Sequence, residues 1–183
     1  SLRRQVLLQA LRPDLKIVLL RGTVETRLAK LSAGECDATL LAAAGLDRLG
    51  RGEVGAAIPL DVMLPAPAQG AVGIEARADD LATRHLLAAI DDPATHGCVM
   101  VERALLAGLG ADCHSPVSAL ATIADGHVTL RAELLTEDGA EHVTGEASGG
   151  AGDPTIGHVL ARDLLAKAPA AVRRLFTPPA PLG

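Results

Sequence analysis

The sequence predicts a mixed fold in two parts: an α/β layer with parallel strands first, then a small α+β domain with a three-stranded antiparallel sheet. Three observations predict it. Segments of helical periodicity alternate with short apolar runs over the first 50 residues, separated by short loops. Pro59, Pro65, Pro67 and Gly70 then break regular structure between Gly55 and Gly70, which marks a crossing or hinge segment. Beyond residue 116, Asp125-Gly126 and Asp138-Gly139 stand between strand-like runs as hairpin signals.

Each element has its own warrant. Ser1 is positioned to cap a helix to about Leu11, with Val6, Leu7 and Leu11 on one face and Pro13 blocking continuation. Lys16–Leu20 (KIVLL), bounded by Asp14 and Gly22, reads as a buried strand. Thr23 then caps a second helix through Val24, Leu28 and Leu31, which Gly34 ends. Ala38–Ala42 repeats the strand pattern, and Ala44–Leu49 adds a turn or two of helix. Ala71–Arg77 alternates like a strand and Leu81–Ile90 like an amphipathic helix. Pro93 starts a longer helix to about Leu109, with Val101, Ala104, Leu105 and Leu109 on its buried side. Strands follow at Val117–Ala124, His127–Leu135 and Glu141–Ala147. A glycine-rich linker at Gly149–Gly152, a helix over Pro154–Lys167 and a proline-rich tail complete the chain.

Composition narrows the function. Of 183 residues, 49% are apolar, enough for a sizeable core, and the formal net charge is −5. One Phe and no Trp or Tyr leave almost nothing on which nucleic-acid bases could stack. No stretch approaches the roughly 20 uninterrupted apolar residues of a membrane span, and no signal peptide is evident, so the expectation is a cytoplasmic protein without nucleic-acid or membrane partners. The chain opens on Ser1 and runs straight into Leu2-Arg3-Arg4, which leaves a longer parent chain open as a reading. Charge is unevenly spread. Residues 1–51 hold nine Lys/Arg against five Asp/Glu, whereas the remainder is acidic. Seven of those cations are arginines, Arg3, Arg4, Arg12, Arg21, Arg27, Arg48 and Arg51, and Arg suits bidentate contact with carboxylate or phosphate.

Two constellations stand out. Arg21-Gly22-Thr23-Val24-Glu25-Thr26-Arg27 joins a strand end to a helix start with an arginine at each side, an arrangement suited to an anion. The alternative, arginines that are solvated or paired with Glu25 and Asp37, stays open on the local pattern. Arg3 and Arg4 repeat the arrangement at the preceding helix start. Among the cysteines, Cys36 and Cys98 read as buried structural thiols, while Cys113 lies in the polar loop Gly110–Pro116, where a thiol is a nucleophile, an attachment point or chemically idle. There is no CxxC pair, the histidines lack metal-ligand spacing, and Gly149–Gly152 lacks the Lys-Ser/Thr of a phosphate loop, so no metal is expected. Asp79-Asp80 and Asp91-Asp92-Pro93 read as helix starts.

Five ordered blocks carry a resemblance across essentially the whole chain. They are Ser1-Leu2-Arg3-Arg4, Arg21 to Leu28, Leu40-Leu41-Ala42-Ala43-Ala44-Gly45-Leu46-Asp47-Arg48-Leu49-Gly50, Leu64-Pro65-Ala66-Pro67-Ala68-Gln69-Gly70-Ala71-Val72-Gly73-Ile74-Glu75, and the Cys113 loop. In that order they resemble the porphobilinogen deaminases, or hydroxymethylbilane synthases. The resemblance implies a transferase of heme and other tetrapyrrole biosynthesis that condenses four porphobilinogens into hydroxymethylbilane with release of ammonia. It also implies a dipyrromethane cofactor held by thioether to Cys113 and contacted by Ser1, Arg3, Arg4, Arg21, Gly22, Gln69 and Gly70. Substrate-binding arginines would be Arg3, Arg4, Arg21, Arg27 and Arg48, and the full-length protein a monomer.

The family fold implies that residues 1–64 form the later part of a periplasmic-binding-protein-like α/β second domain. Residues 65–90 would cross back to a first domain, and 91–183 form the cofactor-carrying α+β domain. The family's catalytic aspartate, in a Lys-Asp motif, has no counterpart here, so no catalytic residue is expected in this chain and the isolated piece should be inactive. A non-catalytic carboxylate-binding module of the same fold is the alternative. Departures from the family pattern are Thr23 for a usual Asn, Pro67-Ala68 for Val-Gly, and Ala111-Asp112-Cys113-His114-Ser115-Pro116 for Gly-Gly-Cys-Gln-Val-Pro.

Overall fold

A computed structural model describes residues 1–176. The proline-rich tail was expected to continue past them, and that part lies outside the described residues. Contacts group the chain into two units. One comprises Ser1–Asp14 together with the chain from Met63 onward, the other Leu15–Val62.

The larger unit is built on three antiparallel strands in the order β1 (Val117–Ala124), β2 (His127–Leu135) and β3 (His142–Gly150). Asp125 and Gly126 both take positive φ, 49° and 76°, which closes the first hairpin in two residues with Ala124 opposite His127. On β1 and β2 the inward positions Val117, Ala119, Ala121, Val128, Leu130, Ala132 and Leu134 are all buried. Against them lie α5 (Pro93–Leu109) and α6 (Thr155–Lys167). Asp92 caps α5 by accepting from the Thr95 amide at 2.7 Å, with Pro93 at the first position, and Gly110 ends the helix in the left-handed conformation at φ 61°. The two helices approach closely because small residues face each other: a Cβ on Gly157 would meet the Val101 carbonyl and the Leu105 amide, and one on Gly108 would lie 2.8 Å from the Ala161 methyl.

Glycine also decides where β3 ends. The expected linker at Gly149–Gly152 is not a linker at its start, because Gly149 and Gly150 pair with Val128 and His127 as the last residues of the strand. The inward faces of Gly145 and Gly149 lie against Leu160, Leu164 and Ile156 of α6, so side chains there would push the helix off the sheet. A short helix α7 (Ala170–Arg173), which the proline-rich composition concealed, buries Val172 in the same core.

The first helix belongs to this unit as well. α1 (Leu2–Leu11) buries Val6 and Leu7 against Leu135 at the end of β2, with Met63 beside them. The β2–β3 turn fits beneath it, since Gly139 (φ 72°) leaves no room for a Cβ against the Val6 carbonyl. α4 (Leu81–Ala88), capped by Asp80 through the Thr83 amide at 3.0 Å, leaves Leu81 and Leu86 exposed.

In residues 15–62 the helices α2 (Val24–Ser32) and α3 (Ala43–Arg48) form as the periodicity predicts. The strands expected at Lys16–Leu20 and Ala38–Ala42 do not, nor does the one at Ala71–Arg77 of the larger unit. Their residues have no ladder partner among the described residues, and an isolated extended run cannot satisfy its backbone as a sheet does. The parallel α/β layer predicted for the first part is therefore not observed. No helix among the described residues is long and apolar enough to cross a membrane.

Candidate functional site

Five of the residues expected at a site come together in one open cleft of about 490 Å³ in the larger unit. Ser1, Arg3 and Arg4 reach it from the start of α1, Gln69 from the turn after Pro65, and Cys113 from the loop between α5 and β1. Ala66, Pro67, Leu106, Asp112, Ser115 and Val117 complete the lining.

The α1 end of the cleft is electropositive by construction. Arg3 is only 9% exposed, yet its one hydrogen bond among the described residues goes from Nη1 to the Leu64 carbonyl at 3.0 Å. No carboxylate pairs with it there. Burial, followed by the neighbouring charge of Arg4, pulls its pKa below the ordinary arginine value. A buried guanidinium without a counter-ion is costly and stabilises an anion strongly when one arrives. Ser1 stands at the N-cap position with its hydroxyl making no capping bond, so the first-turn amides of α1 are not occupied by that side chain.

On the other side, Cys113 is exposed in a loop ordered by Asp112. The Asp112 Oδ1 accepts from the His114 amide at 2.8 Å and the Ser115 hydroxyl at 3.2 Å, while the Asp112 amide donates to Ser115 Oγ at 3.0 Å. The His114 amide above all holds the Asp112 carboxyl below the ordinary aspartate range. The turn around Cys113 is thus locked by the Asp112 and Ser115 side chains. Cys98 and Cys36 are half-buried, and burial pushes the Cys98 thiol up.

Arg21, Gly22, Arg27 and Arg48 belong to residues 15–62. Gly22 takes φ 125°, and the Arg27 Nε folds back to its carbonyl at 3.0 Å. Thr23 caps α2 by accepting from the Thr26 amide at 3.3 Å. Neither Arg21 nor Arg27 forms an ion pair among the described residues, so the pairing with Glu25 or Asp37 left open above is not what the structure contains. Gly70 (φ 84°) closes the turn after Gln69 without lining the cleft.

Sequence reading missed Glu102, which is 5% exposed on α5. Its Oε2 accepts from the Ala68 amide at 2.5 Å and its Oε1 from the Ala121 amide at 2.7 Å. The signal was present: Glu102 lies four residues after Cys98 and three before Leu105, on the face assigned to the core. Asp112 and Ser115 were quoted only as part of the loop.

A cationic helix start and an exposed thiol thus share one cleft, an arrangement chemically suited to an anionic ligand. Two family models match the chain. The one described as porphobilinogen deaminase, dipyromethane cofactor binding domain, matches residues 1–85, and the one described as porphobilinogen deaminase, C-terminal domain, matches 96–166. The chain is 57% identical to the porphobilinogen deaminase of Sphingopyxis alaskensis over 96% of its length, and 48% identical to that of Paracoccus denitrificans over 93%. It spans 56% and 55% of those relatives. The chain belongs to the porphobilinogen deaminase family. Its cleft draws on both matched segments, with the arginines and Gln69 from the first and Cys113 from the second.

Proposed function

We propose that this chain is the C-terminal part of a hydroxymethylbilane synthase, carrying on Cys113 a thioether-linked dipyrromethane on which four porphobilinogens are condensed with loss of ammonia. The observation that carries the reading is Cys113 sharing one cleft with Ser1, Arg3, Arg4 and Gln69. The donor set fits the group. Each pyrrole bears an acetate and a propionate, and Arg3 is a buried cation in want of a carboxylate. The cofactor supplies the terminal pyrrole carbon to which the first substrate is joined.

This chain's own residues bind and orient. Arg3 and Arg4 neutralise ring carboxylates at the start of α1, where the helix dipole adds to their charge. Gln69 lines the same cleft, and Gly70 closes the turn that presents it. Arg21, Gly22, Arg27 and Arg48 are assigned the remaining carboxylates of the cofactor and the growing chain. The Asp112 carboxylate is engaged by the His114 amide and Ser115 hydroxyl, so it orders the loop and is a poor candidate for proton transfer. With no Lys-Asp pair in the sequence, the general acid–base group is assigned to chain beyond these residues, and the isolated piece is expected to be inactive. Residues 1–64 are assigned to a periplasmic-binding-protein-like second domain, 65–90 to a crossing segment and 91–183 to the cofactor domain of a cytoplasmic monomer without nucleic-acid or membrane partners.

Intact-mass analysis of the longest open-reading-frame product containing this chain is expected to find an addition of dipyrromethane size that Cys113→Ser abolishes. An unmodified mass in protein that still makes hydroxymethylbilane refutes the reading, as does turnover by residues 1–183 alone.

A further inference from the structure

We propose that Glu102 is a positioning residue of the cleft, a buried carboxylate that holds the Pro67–Gln69 turn in place by clamping its backbone to α5 and β1. Resting on the reading of the cleft just given, this assigns a task to a residue that does not itself line the cleft.

Glu102 joins three segments distant in sequence. It projects from α5, takes the Ala121 amide of β1 on one oxygen and the Ala68 amide on the other. The turn is further tied to β1 by the Ala119 amide donating to the Pro65 carbonyl at 3.1 Å. Gln69, which lines the cleft, follows the clamped residue directly, and α5 leads at its C-terminus into the Cys113 loop. One carboxylate therefore references the Gln69 wall to the helix that delivers the thiol.

Two further observations separate this task from ordinary packing. Ala68 has φ 58°, the left-handed region that an alanine enters only at a cost, so the turn needs a force to hold it there. The bond from its amide to Glu102 supplies one. Burial also pushes the Glu102 carboxyl above the ordinary glutamate range in spite of the two amides that favour its charge. Both of its oxygens are nonetheless taken by backbone amides of other segments, so the side chain is spent on holding backbone in place.

Glu102→Gln tests the clamp with little change of shape. Glutamine offers one acceptor and one NH2 where two backbone amides converge, so one amide faces another donor. In the open-reading-frame product, Glu102→Gln is expected to raise KM for porphobilinogen about tenfold, the scale of one lost charge-assisted hydrogen bond, with kcat within about twofold. Ala68→Gly lets the turn adopt its conformation without the clamp. In the Glu102→Gln background it is expected to return KM to within about threefold of wild type. An unchanged KM, or a raised one that Ala68→Gly does not lower, overturns the proposal, and a drop in thermal stability alone counts as the first of these. Should Glu102→Gln not fold, hydrogen exchange on the wild-type protein decides: protection of the Ala68 amide by at least about tenfold over an open chain is expected, and an unprotected amide overturns the clamp. A wild-type protein that makes no hydroxymethylbilane instead refutes the function proposed above, while the exchange measurement still decides the clamp.

Discussion

Lys16–Leu20 and His127–Leu135 are both rich in β-branched and aliphatic residues, and only one becomes a strand. In β2 both edges are paired and the inward side chains join the core shared with α5 and α6, so Val128, Leu130 and Leu134 are fully buried. In Lys16–Leu20 the backbone has no partner strand among the described residues, and Val18 and Leu19 stay 55% and 72% exposed. The difference teaches that apolar content supplies the driving force for a strand, whereas a neighbour to take its hydrogen bonds decides whether it exists.

Paired truncations test that contrast most sharply. Leu130→Ala removes a fully buried side chain from the centre of the sheet and is expected to cost ~2–5 kcal/mol in chemical denaturation. Leu19→Ala in the same 183-residue chain is expected to stay within ~0.5 kcal/mol, because water already covers the site. Comparable losses at the two positions break the comparison and indicate that Leu19 is packed in solution. Repeating Leu19→Ala in the longer open-reading-frame product then asks whether further chain buries this run.

How much was legible follows the same division. The hairpin at Asp125-Gly126, the Asp92-Pro93 start of α5 and the Thr23 cap of α2 were readable because a local rule determines each: a turn residue at positive φ, or a side chain that reaches its own helix. The Gly149–Gly150 end of β3 was misread because its glycines answer to α6, not to local flexibility. Of the expected site residues, Ser1, Arg3, Arg4, Gln69 and Cys113, read from ordered motifs, share the cleft. The place of Glu102 on the core face of α5 was legible three residues before Leu105, but its partners were not, because the two amides that donate to it lie 34 and 19 residues away.

The α5–α6 contact offers a second, smaller test, in which glycine identity decides the sign. Gly157→Ala gains roughly 1 kcal/mol of helix propensity, but its methyl group meets backbone atoms of Val101 and Leu105 that cannot turn aside. Overpacking of ~1–3 kcal/mol wins, so net destabilisation is expected. Gly97→Ala, also inside a helix, meets nothing closer than the Gly152 amide at 3.8 Å and is expected to stabilise by up to ~1 kcal/mol. Two effects of the same sign show that the helices do not touch where the structure has them.

The smallest expected effect is one of pH. Asp92 caps α5 with a carboxyl held below its ordinary 3.8, first by the Thr95 amide. A carboxyl pKa depressed by folding contributes stability that is complete above the unfolded value and is lost as pH falls through the folded one. Asp92→Asn keeps an acceptor at the cap and removes the charge that favours the helix N-terminus. The variant is therefore expected to be slightly less stable than wild type near pH 6. The gap should begin to close as pH falls below 3.8 and be gone once it has passed through the lower folded-state value, where wild-type Asp92 is protonated. Unfolding curves collected across that range check the sign directly: a gap that widens on acidification means the Asp92 carboxylate does not act on α5 through its charge.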